Sequence, residues 1–265
     1  MAPPAALAHD EAGPRDARPV VLLHGSPVDR RMWRPQLDEL ASEGYRVLAP
    51  DLRGHGRSPL PAGPWALEDC AADVLALADR LGLERFVLGG LSVGGMVALA
   101  AVEAAPRRVE GLLLAATRAD ADRPEERERR MEVARGIRAR GGEDAAPFVD
   151  RVFTPPTVDG RPELVAAFRR MAEGTPAEGR ALMLDAIARR KDRRGLLGAV
   201  RCPALVIVGA EDPITPVSDA RAIHEGVAGS FLQVVEGASH LVNMEAPGVF
   251  NRAVVNWLMF SGLEP

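Results

Sequence analysis

The chain has 265 residues, of which 47% are hydrophobic and 26% charged, the balance of an ordinary soluble globular protein. Its formal net charge is −4, which argues against a partner such as nucleic acid. No window of about 18 apolar residues occurs, and the first residues lack the basic and apolar parts of a secretory signal, so we expect no membrane partner and a cytoplasmic location. Cys70 and Cys202 are too few for a disulfide framework and are expected to be reduced.

Apolar runs alternate with segments of helical periodicity along most of the chain. The predicted strands are a short edge strand at 7–10 and buried runs at 20–24, 46–49, 85–91, 109–117, 204–208 and 231–235. The predicted helices between and after them are 33–42, 67–81, 93–105, 216–225 and 247–260. Because the strands are almost wholly apolar, this alternation predicts an α/β fold whose mostly parallel sheet is covered by helices on both faces.

Residues 118–200 differ in composition from the rest of the chain. They are crowded with charge, contain no strand-like apolar run, and place their apolar residues at helical spacing. We therefore expect three or four helices that form a cap inserted into a core domain of residues 1–117 and 201–265. The arginines of this segment could bind a carboxylate of a substrate. Most of them alternate with acidic residues, as in 125–130, which favours a solvated face instead.

A serine follows the strand at 85–91 within the pattern G-x-S-x-G, and a helix follows it. Ligand sites in parallel sheets lie at the carboxyl ends of the strands. So tight a strand-to-helix turn holds its central serine in strained backbone angles with the hydroxyl above the sheet. Gly90 and Gly94 suit the turn because a Cβ at either position would crowd it. Ser92 is therefore the predicted nucleophile.

A serine needs a base to become a nucleophile, and an imidazole needs a carboxylate to fix its tautomer. Asp212 follows the strand at 204–208, and His240 follows the strand at 231–235. The order of Ser92, Asp212 and His240 along the chain is the one that a hydrolase of this kind requires. Glu211 is a weaker candidate for the acid, because a step of one residue points it the other way.

Two backbone N–H groups are expected to bind the oxyanion that forms when a serine attacks a carbonyl. One belongs to Val93, directly after the nucleophile, and the other to Ser26, in the loop after the first buried strand. Pro27 cannot donate. The chain has no Cys/His spacing typical of zinc and no glycine-rich phosphate-binding pattern, so no metal or cofactor is predicted.

Five segments resemble the α/β-hydrolase superfamily, in its lid-bearing branch of proline-iminopeptidase-like and enol-lactonase-like proteins. They are LLHGSP (22–27), DLRGHGRS (51–58), GGLSVGGMVA (89–98), VIVGAEDPITP (206–216) and EGASHLVNMEAP (236–247). The resemblance implies the α/β-hydrolase fold with a helical cap, and a structural role for 51–58. The short N-terminus implies seven strands or fewer. Serine at the elbow departs from the dehalogenases and epoxide hydrolases of this fold, which use aspartate there.

The sequence therefore predicts a serine hydrolase that cleaves a small carboxylic ester or lactone through an acyl-enzyme. C–C bond hydrolysis, perhydrolysis or acyl transfer by the same three residues stays open, as does a slow receptor for a small molecule. The chain is expected to be a monomer or a homodimer. The candidate substrate-binding residues are Trp33, Phe148, Phe153, Phe168, Met171 and Leu241.

Overall fold

A seven-stranded sheet forms the centre of the structure, a computed structural model that describes residues 4–141 and 146–265. The strands are β1 (His9–Ala12), β2 (Pro19–Leu23), β3 (Arg46–Pro50), β4 (Phe86–Leu91), β5 (Val109–Ala115), β6 (Ala204–Gly209) and β7 (Phe231–Val235). Their order across the sheet is β1-β3-β2-β4-β5-β6-β7. Strand β1 runs antiparallel to β3, and every other neighbouring pair is parallel. The predicted α/β-hydrolase fold is confirmed.

Helices follow most of the strands. They are α1 (Arg34–Ser42), α2 (Leu67–Arg80), α3 (Val93–Ala104), α4 (Pro124–Arg140), α5 (Ala146–Val152), α6 (Pro155–Gly160), α7 (Pro162–Gly174), α8 (Ala177–Ala188), α9 (Arg194–Leu197), α10 (Val217–Gly226), α11 (Val242–Glu245) and α12 (Pro247–Phe260). A 3-10 turn, Arg30–Trp33, leads into α1. Within the residues described, no helix is both long and apolar enough to cross a membrane.

Alternate residues of the strands face two different hydrophobic cores. Val21 and Leu23 of β2 pack into the core shared with α2, α3 and α10, whereas Val20 and Leu22 pack into the core shared with α1 and α12. This follows from the two-residue period of a strand, and it explains why the strands are apolar on both faces. The five inner strands, β2 to β6, are thus held between two layers of helix.

The edge strand lies two residues later than its sequence pattern predicted. It spans His9–Ala12 because it pairs with β3, with His9 opposite Pro50 and Ala12 opposite Val47. At this edge, pairing with a neighbour decides the bounds, and the apolar residues at 5 and 7 instead pack into the core.

In the segment between β5 and β6, the described residues form six helices, α4 to α9, and not the three or four that the apolar spacing predicted. Proline stands in the first turn of several of them, including Pro124, Pro155 and Pro162. Proline fits the first turn of a helix and cannot continue a preceding one, so it divides the segment into short pieces. No strand occurs among the described residues of this segment.

A buried ion pair ties the loop after β3 to α2. Arg53 donates to both carboxylate oxygens of Asp73, at 2.6 and 2.7 Å, and both side chains are almost fully buried. Asp73 also accepts from the N–H of Ala5 at 2.6 Å. One carboxylate therefore fixes three separate parts of the chain.

Replacing Asp73 with Ala should lower the free energy of unfolding by about 3–5 kcal/mol, because it leaves the Arg53 charge buried without a partner. Urea unfolding followed by circular dichroism measures this. The exposed pair of Arg34 and Asp38 provides a matched control, and Asp38→Ala should cost less than about 0.5 kcal/mol. Equal losses from the two variants would contradict the prediction.

Candidate active site

The turn from β4 into α3 holds Ser92 in a conformation that few residues other than glycine adopt, with φ 57° and ψ −119°. The Ser92 N–H donates to the carbonyl of Ala115 at 2.9 Å. A Cβ added to Gly94 would lie 2.2 Å from the Leu23 carbonyl oxygen, and one added to Gly90 would lie 2.2 Å from the Gly94 carbonyl carbon. Both glycines are therefore required by close backbone packing, as the motif predicted.

Asp212 lies in the turn that follows β6, where its carboxylate accepts several hydrogen bonds. Oδ1 accepts from the N–H groups of Ile214 and Thr215, at 2.8 and 3.0 Å, and Oδ2 accepts from the Thr215 hydroxyl at 2.7 Å. Burial raises the pKa of Asp212, but the facing His240 and the hydrogen bonds outweigh burial and bring this pKa below its usual value. The carboxylate is therefore ionised at neutral pH. Glu211, by contrast, is exposed.

His240 lies in the loop after β7, and its side chain is buried beside Asp212. Its Nδ1 is 2.8 Å from Asp212 Oδ2. An ionised carboxylate only accepts, so Nδ1 carries the proton, which leaves Nε2 of a neutral ring as an acceptor. Among the described residues no hydrogen bond joins His240 to Ser92, but both line the same cavity. Such contacts are often long in ligand-free enzymes.

Sequence reasoning missed a buried glutamate that supports the histidine loop. Glu245 Oε2 accepts from the Ser239 N–H at 2.6 Å, directly before His240. Its Oε1 accepts from the N–H and the hydroxyl of Thr154, at 2.8 and 2.7 Å. In the sequence, Glu245 stood out only because it lies in the segment 236–247, and the family resemblance of that segment assigned no role to it.

Two backbone N–H groups border the cavity without a protein acceptor. Ser26 and Val93 both line it, and neither N–H donates to a protein acceptor in the described part of the chain. Val93 is the first residue of α3, and the first N–H groups of a helix have no partner within it. These are the two donors that the sequence predicted for an oxyanion.

The cavity above Ser92 has a volume of about 130 Å³. Three of the six predicted substrate-binding residues line it: Phe148, Phe168 and Leu241. Residues that the sequence did not single out complete the apolar part of its wall, namely Val28, Leu91, Val152, Leu184, Ile187 and Ile214.

The other three predicted substrate-binding residues lie elsewhere. Trp33 is fully buried against Phe250, with ring centroids 5.9 Å apart. Phe153 packs edge-on against the far side of Phe168, at 5.8 Å. Met171 lines a separate cleft of about 370 Å³ beside α1. The structure does not bring these three residues to the cavity, because large apolar side chains also fill the packing between elements, which sequence spacing does not distinguish.

Two arginines line the cavity, against the expectation of a wholly solvated charged face. Arg130 of α4 reaches it while its Nε donates to Asp122 at 2.8 Å. Arg151 of α5 also lines it, and its side chain forms no ion pair or hydrogen bond within the described residues. Among the described residues no aspartate or glutamate lines the cavity. Asp122 pairs with Arg130 through both Nε and Nη2, so the unpaired positive charge among the described lining residues belongs to Arg151.

In the part of the chain that the structure describes, no three His, Cys, Asp or Glu side chains come together in a way that could hold a metal ion. Cys70 and Cys202 are free thiols.

A parallel sheet with a serine on a strained turn after β4, an aspartate after β6 and a histidine after β7 defines an α/β hydrolase. Residues 20–253 match the model of the alpha/beta hydrolase family, and the chain belongs to that family.

The similar proteins include lactonases and esterases. The chain is 32% identical to 3-oxoadipate enol-lactonase 2 of Acinetobacter baylyi over 251 residues, which cover 94% of this chain and 91% of that protein. Among solved structures, a thermophilic esterase from Thermogutta terrifontis with bound malate has a TM-score of 0.93 and 38% identity, covering 98% of this chain and 95% of that one. The enol-lactonase of Burkholderia xenovorans LB400 has a TM-score of 0.87 and 33% identity, covering 96% and 97%.

Asp212 should make the stability of the protein depend on pH in the acid range. Because its folded pKa lies below the unfolded value near 3.9, its contacts stabilise the fold fully above that value, and this contribution is lost as pH falls through the folded pKa. Unfolding free energies from pH 7 to about pH 2 should therefore differ between wild type and Asp212→Asn by an amount that shrinks in acid. Glu211→Gln should follow the wild type. A difference independent of pH would contradict the assignment.

Proposed function

We propose that this α/β-fold carboxylic-ester hydrolase cleaves small esters or lactones with Ser92 as nucleophile, His240 as general base and Asp212 as the carboxylate that orients His240. The contact that carries the proposal is the 2.8 Å hydrogen bond between His240 Nδ1 and Asp212, beside a cavity that also holds Ser92. The membership of the family and the likeness to esterases and enol-lactonases support the same chemistry.

The proposed reaction has two halves. Ser92 Oγ attacks the carbonyl carbon of the substrate while its proton passes to His240 Nε2. The carbonyl oxygen becomes an oxyanion that accepts from the N–H groups of Ser26 and Val93. When the carbonyl re-forms, the C–O bond to the leaving group breaks, and the leaving oxygen takes the proton from His240. An acyl ester on Ser92 remains.

Water then completes the cycle by the same steps. His240 takes a proton from a water molecule, whose oxygen attacks the acyl carbon, and the same two N–H groups bind the oxyanion again. The bond to Ser92 Oγ breaks, and His240 returns the proton to that oxygen. The carboxylic acid leaves. Asp212 stabilises the imidazolium in both halves and holds its proton on Nδ1.

Helices α4, α5, α7 and α8 contribute wall to the cavity, which supports residues 118–200 as a substrate-covering cap over a core of 1–117 and 201–265. The small volume suits a short acyl group. The apolar wall would bind its carbon chain, and the guanidinium groups of Arg130 and Arg151 would bind a second, free carboxylate. We therefore propose an ester or lactone that carries a carboxylate as the preferred substrate.

Ser92→Ala should lower the hydrolysis of a short p-nitrophenyl ester by at least about a thousandfold, because no other group supplies the nucleophile. Thermal unfolding should stay close to wild type. An organophosphonate should add covalently to Ser92, detected by peptide mass spectrometry, and Ser58→Ala should be labelled and active like wild type. Full activity of Ser92→Ala would disprove the assignment. Labelling without ester hydrolysis would favour another reaction by the same residues.

Arg151→Gln should change substrate preference and leave the chemistry intact. The test compares kcat/KM for the p-nitrophenyl half-ester of adipic acid with that for p-nitrophenyl hexanoate, which has no second carboxylate. We expect about a tenfold or larger loss for the half-ester, the scale of one charge-assisted hydrogen bond, and little change for the neutral ester. Arg129→Gln is the matched control, because Arg129 is exposed on α4 and does not line the cavity. Equal losses for both esters would disprove a carboxylate site.

A further inference from the structure

The oxyanion loop, residues 24–27, carries the Ser26 N–H but belongs to no helix or strand. The backbone hydrogen bonds of helices and strands therefore do not fix the direction of that N–H. Oxyanion donors act only when they are held in place before the reaction, within about 0.5 Å and 10–20° of the productive geometry. Side chains that bind this loop thus decide how well it works.

His55 holds the Ser26 side chain from the core side. The Ser26 hydroxyl is 2.9 Å from His55 Nε2, and His55 Nδ1 is 3.0 Å from the carbonyl oxygen of Arg53. A carbonyl only accepts, so Nδ1 carries the ring proton, Nε2 accepts, and the Ser26 hydroxyl donates. Burial lowers the pKa of His55 to about 3, which keeps the ring neutral and Nε2 an acceptor at ordinary pH.

His24 also links the oxyanion loop to the loop after β3 through the hydrogen bonds of its ring. Its Nδ1 donates to the Gly25 carbonyl at 2.7 Å, and its Nε2 accepts from the Leu52 N–H at 2.8 Å. Its ring centroid is 5.2 Å from that of His55. The loop after β3 therefore supports the oxyanion loop through two adjacent neutral imidazoles.

Thr175 holds the oxyanion loop from the opposite side. It lies between α7 and α8, is buried, and its hydroxyl donates to the Pro27 carbonyl at 2.7 Å. Pro27 is the residue directly after Ser26, and its ring restricts the backbone there. A rotation of the loop about Ser26 would have to break the bond to His55, the bond to Thr175, or both.

We propose that His55 and Thr175 are positioning residues that hold the Ser26 N–H toward the substrate carbonyl, one from the loop after β3 and one from the helical segment between β5 and β6. The proposal rests on the proposed function, since it assigns the support of the oxyanion donor in that reaction. Neither side chain lines the cavity, so both act through the loop and neither touches substrate.

The experiment measures kcat and KM on p-nitrophenyl hexanoate, together with the affinity for an alkyl trifluoromethyl ketone, whose adduct with a serine carries an oxyanion. Ser26→Ala, His55→Phe and Thr175→Val each remove a side chain that supports the oxyanion loop and leave the backbone N–H groups of Ser26 and Val93 in place. We expect kcat to fall about tenfold, which is less than the loss of about a hundredfold or more that follows removal of a whole oxyanion donor. The KM should stay within about twofold of the wild-type value. Ketone affinity should weaken by the same factor as kcat.

Two further comparisons separate positioning from general destabilisation. In the proposal, His55 acts through the Ser26 hydroxyl. The double variant that combines Ser26→Ala with His55→Phe should therefore lose no more activity than the more impaired of its two single variants. His55→Gln, which keeps an acceptor, should recover part of the loss. Ser58→Ala removes a hydroxyl from the loop after β3 that does not contact the oxyanion loop, and it should match wild type in activity and in ketone affinity.

Several outcomes would overturn the proposal. The first is that hydrolysis requires Ser92, but the variants of Ser26, His55 and Thr175 keep the kcat and the ketone affinity of wild type. The second is that the factor by which kcat falls in the double variant equals the product of the factors in the two single variants. That result would show that His55 acts independently of Ser26. Loss of thermal stability with unchanged kcat in the folded fraction would leave only a structural role. If wild type shows no activity that depends on Ser92, the proposed function fails first, and this role fails with it.

Discussion

The carbonyl oxygen of Leu23 lies so close to the first turn of α3 that only glycine fits at position 94, and the geometry of the site follows from this contact. Strands β2 and β4 are parallel neighbours, so both end at the same edge of the sheet. Pressing α3 against the end of β2 brings the N–H of Val93 beside the loop that carries Ser26. Ser92 stands between them at φ 57°. Strain of about 1–3 kcal/mol at one residue is tolerable because strands buried on both faces hold the turn on either side.

Buried carboxylates fix the loops that this sheet edge leaves without regular structure. Asp212 accepts from the backbone of its own turn and from His240, and so sets both the turn and the ring. Glu245 binds the backbone before His240 to Thr154, which precedes α6. Asp51 accepts from the N–H groups of Arg30 and Arg57 and pairs with the Arg30 guanidinium. In each case a desolvated charge accepts from several donors at once, which makes one conformation of the loop much more favourable than others.

The sequence contained enough to predict the sheet and the three residues at its edge, but not the wall of the cavity. Strands buried on both faces are continuous apolar runs, and a serine, an aspartate and a histidine that each follow a strand must meet where parallel strands end. Trp33 and Met171 lie away from the cavity, and the sequence could not indicate this because their orientation depends on how helices pack against each other. Arg130 and Arg151 were missed because alternating charge on a helix has the same pattern whether it faces solvent or a cavity. His55 contacts Ser26 and Glu245 contacts Thr154, and contacts between residues so far apart in the sequence leave no local pattern.

The helices between β5 and β6 contribute to the site in two physically different ways. Phe168 on α7 and Leu184 on α8 form apolar wall, whereas Thr175, in the turn that joins these helices, binds the Pro27 carbonyl. Thr154, at the start of α6, binds Glu245 and so reaches the histidine loop. A shift of this segment that widened the cavity would also strain or break these two bonds. In the proposed function, substrate fit and the geometry of the reacting groups are therefore mechanically linked, since the elements that line the cavity also hold the loops on both sides of Ser92.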